Sequence, residues 1–397
     1  MSASRFRGLI LSALLLAGAA HGASDEVVGA LADLAPNQAV YLGDAEVVGD
    51  FNEVARRFDL DHTGPLRRNY SLKMVWAPER HQAIYLGANH GKPHRLNDVW
   101  SFDLRALEWS LLYAPDLPRD YRGLGEDASD VVLHDGVLMT RRGGPAIIGH
   151  GWSSVTYDAA RRKVLFMNTW PANRIQIAAR LKRSADEIDS SLPMWTFDPA
   201  QKSWAYLKTG TPQPPPAYGA LLEFNPEGGG AIYHGNDWQL RGTWWLDSAS
   251  DTWVRLLPKK GDRTFSRNAP GRELVGYFDP RRELLICRAG KRTFRFNPKA
   301  QAWTAVPDGK GSPATLPGGH DARNVFLFDS ATGRGLLVDL SNASIHAFDP
   351  DRFEWKALDP DGPPMPDGER MLAYFDHRDQ VLVVIDGRRV WAYRPGD

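Results

Sequence analysis

The stretch Asn97-Asp98-Val99-Trp100-Ser101-Phe102-Asp103-Leu104, with Trp109 behind it, decides the fold. Its core is an aromatic residue, then Asp, then tryptophan six positions after the acid. The pattern returns as Phe197-Asp198 to Trp204, Leu246-Asp247 to Trp253, Phe296-Asn297 to Trp303 and Phe348-Asp349 to Trp355. The last four tryptophans stand roughly 50 residues apart, so one small supersecondary unit repeats. Each copy needs its neighbours to bury its apolar face.

Working outward, a second element precedes each of these. Tyr157-Asp158 stands before Val164 to Met167, Phe224-Asn225 before Ala231 to Tyr233, and Phe278-Asp279 before Leu284 to Cys287. Phe328-Asp329 and Phe375-Asp376 stand likewise before Leu336 to Val338 and Val381 to Val384. Aspartate or asparagine bonds its own following backbone in a tight turn, so each pair reads as strand one, hairpin, strand two. The tryptophan element supplies strands three and four. The first unit is less regular, with Met74-Val75-Trp76 and Ala83 to Gly87.

These elements resemble kelch-repeat propellers of the kind found in the central domain of galactose oxidase, in a bacterial secreted form. The usual double glycine after strand two is reduced to Gly87 or replaced, as at Asn168, Arg288 and Asp339. The resemblance covers about residues 66–397 and implies an all-β, kelch-type β-propeller of six blades. Seven blades are the alternative, because Asn52-Glu53-Val54 and Phe58-Asp59-Leu60 echo the motif. Kelch propellers serve as sugar oxidases, sugar mutarotases, lyases and scaffolds, so function has to come from the site.

With 48 basic and 48 acidic residues the chain has no global attraction to nucleic acid or anionic lipid. Its one cysteine, Cys287, rules out an intrachain disulfide. Arg5 and Arg7 precede the apolar run Leu9 to Ala20, and Ala20-His21-Gly22 offers small residues for cleavage, so residues 1–22 read as a secretory signal. The run is too short to span a membrane. A periplasmic or secreted protein, acting as a monomer, is expected.

The segment 23–65 is expected to close the ring. The last repeat ends in a third strand, Val390-Trp391-Ala392-Tyr393, and lacks a fourth. Gln38-Ala39-Val40-Tyr41-Leu42-Gly43 nearly duplicates Gln82-Ala83-Ile84-Tyr85-Leu86-Gly87, which makes Asn37 to Gly43 the natural donor. Two insertions, 114–148 and 169–193, break the period and emerge on one mouth of the central channel. The first contains a predicted hairpin, Val131 to Thr140, around His134-Asp135-Gly136. In the second, Ile177, Leu181 and Ile188 fall on one side of a predicted short helix, with Arg180, Lys182 and Arg183 elsewhere. It is either a basic lid over an acidic ligand or an amphipathic cap over blade edges.

Aligning strand one of every blade puts polar and aromatic residues at its entrance. They are His150 and Trp152, then Tyr218, Arg272, Asp321 with Arg323, and Arg370, with Tyr70 a loose counterpart in the first blade. An arginine that neutralises a uronate carboxylate lowers the cost of removing the adjacent proton, and Tyr or His can carry that proton. His150, Tyr218 and Arg272 are the expected catalytic set. Tyr70, His90, His94, Trp152, Trp170, His234, Trp238, Arg323 and Arg370 are the expected substrate contacts, the indoles by stacking on sugar rings. His90 and His94 share one loop without a third ligand at defined spacing, so no metal site is assigned and no cofactor is identified. The expectation is a carbohydrate partner, acidic in character, bound or processed by a lyase or epimerase. The alternative is a non-catalytic protein-interaction scaffold.

Overall fold

The computed structural model describes residues 24–49, 52–58, 64–65, 71, 73–87, 96–118, 123–126, 129–146, 148–149, 151–168, 174–188, 194–210, 212–214, 217–237, 240–259, 265–307, 309, 311–313, 323–368 and 371–396. Helix α1 (Asp25–Asp33), strands β1 (Gln38–Asp44) and β2 (Glu46–Val48) and helix α2 (Asn52–Phe58) precede the blades. Blade 1 is β3 (Val75–Ala77), β4 (Gln82–Tyr85), β5 (Val99–Asp103) and β6 (Glu108–Tyr113), followed by a hairpin of β7 (Val131–His134) and β8 (Val137–Thr140). Blade 2 is β9 (Val155–Asp158) and β10 (Lys163–Met167), then helix α3 (Arg174–Leu181), then β11 (Met194–Asp198) and β12 (Ser203–Leu207). Blade 3 is β13 (Leu221–Asn225), β14 (Gly230–Asp237), β15 (Leu240–Asp247) and β16 (Thr252–Leu257). Helix α4 (Phe265–Asn268) leads to blade 4, with β17 (Val275–Asp279), β18 (Leu284–Ala289), β19 (Arg292–Asn297) and β20 (Ala302–Val306). Blade 5 is β21 (Asn324–Asp329), β22 (Arg334–Asp339), β23 (Ser344–Asp349) and β24 (Glu354–Leu358), and blade 6 holds β25 (Met371–Asp376), β26 (Val381–Asp386) and β27 (Arg389–Arg394). The first strands β3, β9, β13, β17, β21 and β25 pack side by side around the axis, so the chain is a six-bladed β-propeller.

The repeated motif is a hairpin built twice per blade. The residue before the acid pairs across the strands with the tryptophan, as in Phe102 with Trp109, Phe197 with Trp204, Phe296 with Trp303 and Phe348 with Trp355. Their rings lie 4.8 to 5.2 Å apart. The acid accepts from the amides two and three positions on, as Asp198 does from Ala200 and Gln201, and Asp376 from Arg378 and Asp379. Four residues bridge the strands, the last of them left-handed, for example Arg162, Lys202, Gln301 and Gln380. The tryptophans also tie blades together. Trp204 Nε1 donates to Asn97 O at 3.1 Å, and Trp303 Nε1 to Thr243 Oγ1 at 2.8 Å.

The ring is closed by β1, which pairs antiparallel with β27 from Gln38↔Arg394 to Asp44↔Arg389. The chain then turns at Ala45, and β2 adds a fifth, parallel strand to the outer edge of blade 1, Val47 beside Trp109. One short segment therefore spans the junction of the first and last blades. Val27, Leu31, Leu34 and Ala45 are buried with Phe102, Trp109, Leu372 and Tyr374 in one core. An Arg105–Asp379 ion pair at 2.6 Å crosses the same junction.

The part of the seventh-blade echo that is described, Asn52 to Phe58, is helical, and Asp59 and Leu60 lie outside the described residues. Asn52 to Phe58 forms α2, which buries Ala55 and Phe58 three positions apart on one face. The run Glu-Val-Ala-Arg-Arg lacks the turn chemistry that makes a strand element of the later copies, and helix-favouring residues dominate it.

The expected hairpin at 131–140 is present, with Asp135 and Gly136 both left-handed in a two-residue turn. The two insertions pack on each other. Leu124, Leu138 and Ala146 from the first share a separate small core with Ile177, Ala178 and Ile188 from the second. The helix is shorter than its apolar spacing implied. It ends at Leu181 with Lys182 left-handed and Arg183 N donating to Ala178 O, and a capped 3₁₀ turn, Ala185–Glu187, carries Ile188 back to the core.

Candidate functional site

The entrances of the first strands of blades 2, 3 and 4 are stitched to one another. Leu222 N donates to Ser153 O at 2.9 Å, Ser153 Oγ to Leu274 O at 2.8 Å, and Leu274 N to Gly219 O at 3.0 Å. Gly219 is left-handed, and a Cβ there would sit 2.3 Å from Glu273 N, so these segments meet in contact. Trp152, Tyr218 and Arg272 flank the stitched residues on three successive blades. Trp152 and Tyr218 are half-buried, Arg272 is exposed and Arg323 is half-buried. Tyr70, His90, His94, His150, Trp170, Trp238, Asp321 and Arg370, like residues 1–22, lie outside the described residues.

His234 was expected in a loop, but it lies within β14, because β14 and β15 continue their pairing to Asp237↔Leu240. It is fully buried, with Nδ1 2.9 Å from Thr243 Oγ1 and Nε2 3.3 Å from Pro270 O, and its ring meets the edge of Trp303. Both ring nitrogens are thus engaged within the protein. Burial pushes its pKa down to about 4. Below the ordinary value of 6.5 the unfolded chain takes up a proton that the folded chain refuses, so this stability is present above pH 6.5 and is lost as pH falls toward 4. The loss is expected to reach about 3 kcal/mol. Thermal melts from pH 7 to pH 4 should show a shallower acid limb for His234→Gln than for the wild type. Identical limbs would mean that His234 carries none of the acid sensitivity.

A cavity of about 250 Å³ lies on the propeller axis. It runs from Lys73, Glu223 and Gly276 down to Pro226, Pro280 and His377, in the turns between first and second strands. Those turns form the face opposite the insertions. Its wall is aromatic: Trp76, Tyr157, Phe224, Tyr277, Phe328 and Tyr374. Trp76 stacks on Tyr374 with ring centroids 6.2 Å apart, and Tyr157 donates to Glu79. His377, at the rim, bonds Ser330 Oγ at 2.9 Å.

The inner end holds an ion pair. Lys73 Nζ lies 2.6 Å from Glu223 Oε1 and donates to Leu222 O at 3.0 Å, both side chains being mostly buried. Burial raises the Glu223 carboxyl above its usual range, against the pull of Lys73. Neither residue was expected at the site. The legible signal was a carboxylate in the middle of the apolar run Leu221-Leu222-Glu223-Phe224, whose charge has to find a partner inside.

Among the described residues no group of three His, Cys, Asp or Glu side chains could hold a metal ion. Among them, too, no helix is long and apolar enough to cross a membrane. Fold and cavity together define a six-bladed propeller with an aromatic, ion-paired axial pocket. No protein-family model matches this chain, and no curated protein matches it in sequence.

Proposed function

We propose that the protein is a secreted or periplasmic kelch-type propeller that binds carbohydrate, seating one sugar unit in the axial cavity. The observation that carries this reading is the aromatic wall around a buried Lys73–Glu223 pair. Sugar rings lay their apolar faces on such rings, while the pair supplies a donor and an acceptor for hydroxyl groups. At about 250 Å³ the space suits a single unit or a chain end, being below the roughly 300–1,000 Å³ of drug-sized pockets. Lys73 is already held by Glu223, so the cavity favours a neutral unit over a uronate.

Titration calorimetry against neutral oligosaccharides is the test. Trp76→Ala is expected to weaken binding roughly tenfold, about 1.4 kcal/mol, with the melting temperature checked separately. Absence of binding to any sugar would leave the protein-interaction scaffold as the better reading.

A second reading keeps lyase or epimerase chemistry on an acidic sugar at the opposite mouth. It is favoured by the stitched strand entrances, which bring Tyr218 and an exposed Arg272 onto adjacent segments. There Arg272 would neutralise the uronate carboxylate while Tyr218 or His150 takes the proton. Formation of an unsaturated, ultraviolet-absorbing product from alginate, pectate or ulvan, lost in Arg272→Ala, would establish it.

A further inference from the structure

Blade 3 departs from the repeat at Trp245 and at Gly230, and the two departures together flank a second cavity. Trp245 in β15 pairs with Ile232. By the same register its counterparts in the other blades are Ser101, Thr196, Arg295, Ala347 and Ala392. Those residues are small apart from one arginine and none is aromatic, so the repeat requires no indole there.

Blade 3 also provides the room. Gly230 stands where other blades have Gln82, Lys163, Leu284, Arg334 and Val381. A Cβ on Gly230 would fall 2.5 Å from Trp245 Cζ2, and one on Gly228 would fall 2.6 Å from its Cη2. The indole therefore lies against backbone that a side chain would displace. It remains half-buried rather than sealed.

Beside it is a groove of about 320 Å³ between blades 3 and 4. Leu256 and Pro298 extend the apolar floor, beside which Asn225 is buried and accepts from Gly228 N, and Glu227, Glu283, Lys299 and Gln301 form the rim. Glu283 and Lys299 pair with each other, whereas Glu227 is exposed. The ionised rim thus carries one more negative than positive charge, which disfavours an anionic ligand.

We propose that this groove is a second ligand site, for one unit of a neutral saccharide stacked on Trp245. An apolar floor with amide and carboxylate groups around it matches a pyranose, which presents apolar C–H faces and an equatorial belt of hydroxyls. The groove is separate from the axial cavity and shares no lining residue with it: Phe224 and Pro226 face the axis, whereas Asn225 and Glu227 line the groove.

The probes are maltohexaose, cellohexaose, xylohexaose, mannohexaose and chitohexaose, titrated calorimetrically and followed by tryptophan fluorescence. At least one is expected to bind the wild type and to bind Trp245→Ala roughly tenfold more weakly, while Trp245→Phe retains part of the affinity. Melting temperatures identify any variant that fails to fold, and Glu227→Gln provides a milder change on the rim. Loss in Trp245→Ala with retention in Trp76→Ala supports this groove even if the axial reading fails. Equal binding by wild type and both Trp245 variants overturns it, as does binding of none of the five sugars.

Discussion

Removal of residues 24–48 is expected to lower stability by several kcal/mol, a large share of the roughly 5–15 kcal/mol available to a whole domain. The deletion would unpair β27 along its full length and strip β2 from blade 1, exposing two edges at one junction. It would also uncover the core around Trp109 and Tyr374 that Val27, Leu31 and Leu34 seal. A point change probes the same closure if the deletion variant does not fold. Gly362 is left-handed, and a Cβ there would sit 2.4 Å from Ala39 O. Gly362→Ala should therefore lower the urea midpoint measurably. A deletion variant that unfolds at the wild-type urea concentration would remove the idea that the segment is a clasp.

Lys73→Met should cost about 3–5 kcal/mol, because it leaves Glu223 as a buried charge without its 2.6 Å partner. Burial already raises that carboxyl, and loss of the cation raises it further, so the variant should gain stability as pH falls and Glu223 takes a proton. The paired replacement Lys73→Met with Glu223→Leu should recover most of the loss, since two apolar side chains need no charge compensation. Denaturant unfolding of the two single variants and the double variant forms the cycle that measures this. Additive losses in the double variant would show that the pair is not coupled.

The propeller was legible because its motif is a physical unit. An aromatic, an acid and a tryptophan at fixed offsets are a cross-strand ring pair and the turn that joins it, repeated wherever the sheet needs them. The closing strand was legible for the same reason, as a near copy of β4 placed far from its own blade. The alternative of a seventh blade rested on an echo whose described part, Asn52 to Phe58, is dominated by helix-favouring residues, and the placement of His234 in a loop missed the extra length of β14. The axial cavity was hidden because a repeat defines which strand is innermost without saying how six of them share the space at the centre. Lys73 and Glu223 lie on blades 1 and 3, and no spacing in the chain links them. The entrances of blades 2, 3 and 4 are joined by bonds to backbone carbonyls, which a sequence read side chain by side chain does not reveal.

The junction of β1 with β27 also orders events in time. The Tyr393 hydroxyl donates to Asn37 Oδ1, across 356 positions of chain. In synthesis Asn37 is among the earliest of the described residues to emerge, yet its partner strand is among the last. Every other blade can assemble from contiguous sequence, whereas β1 has to wait for blade 6, which is made long after it. Contacts of such long range are slow to form, and an unpaired strand is open to wrong partners in the interval. Pairing of β1 with β27 is therefore expected to come late in folding, and refolding yield should depend on how well α1 and β1 are kept from other chains until then.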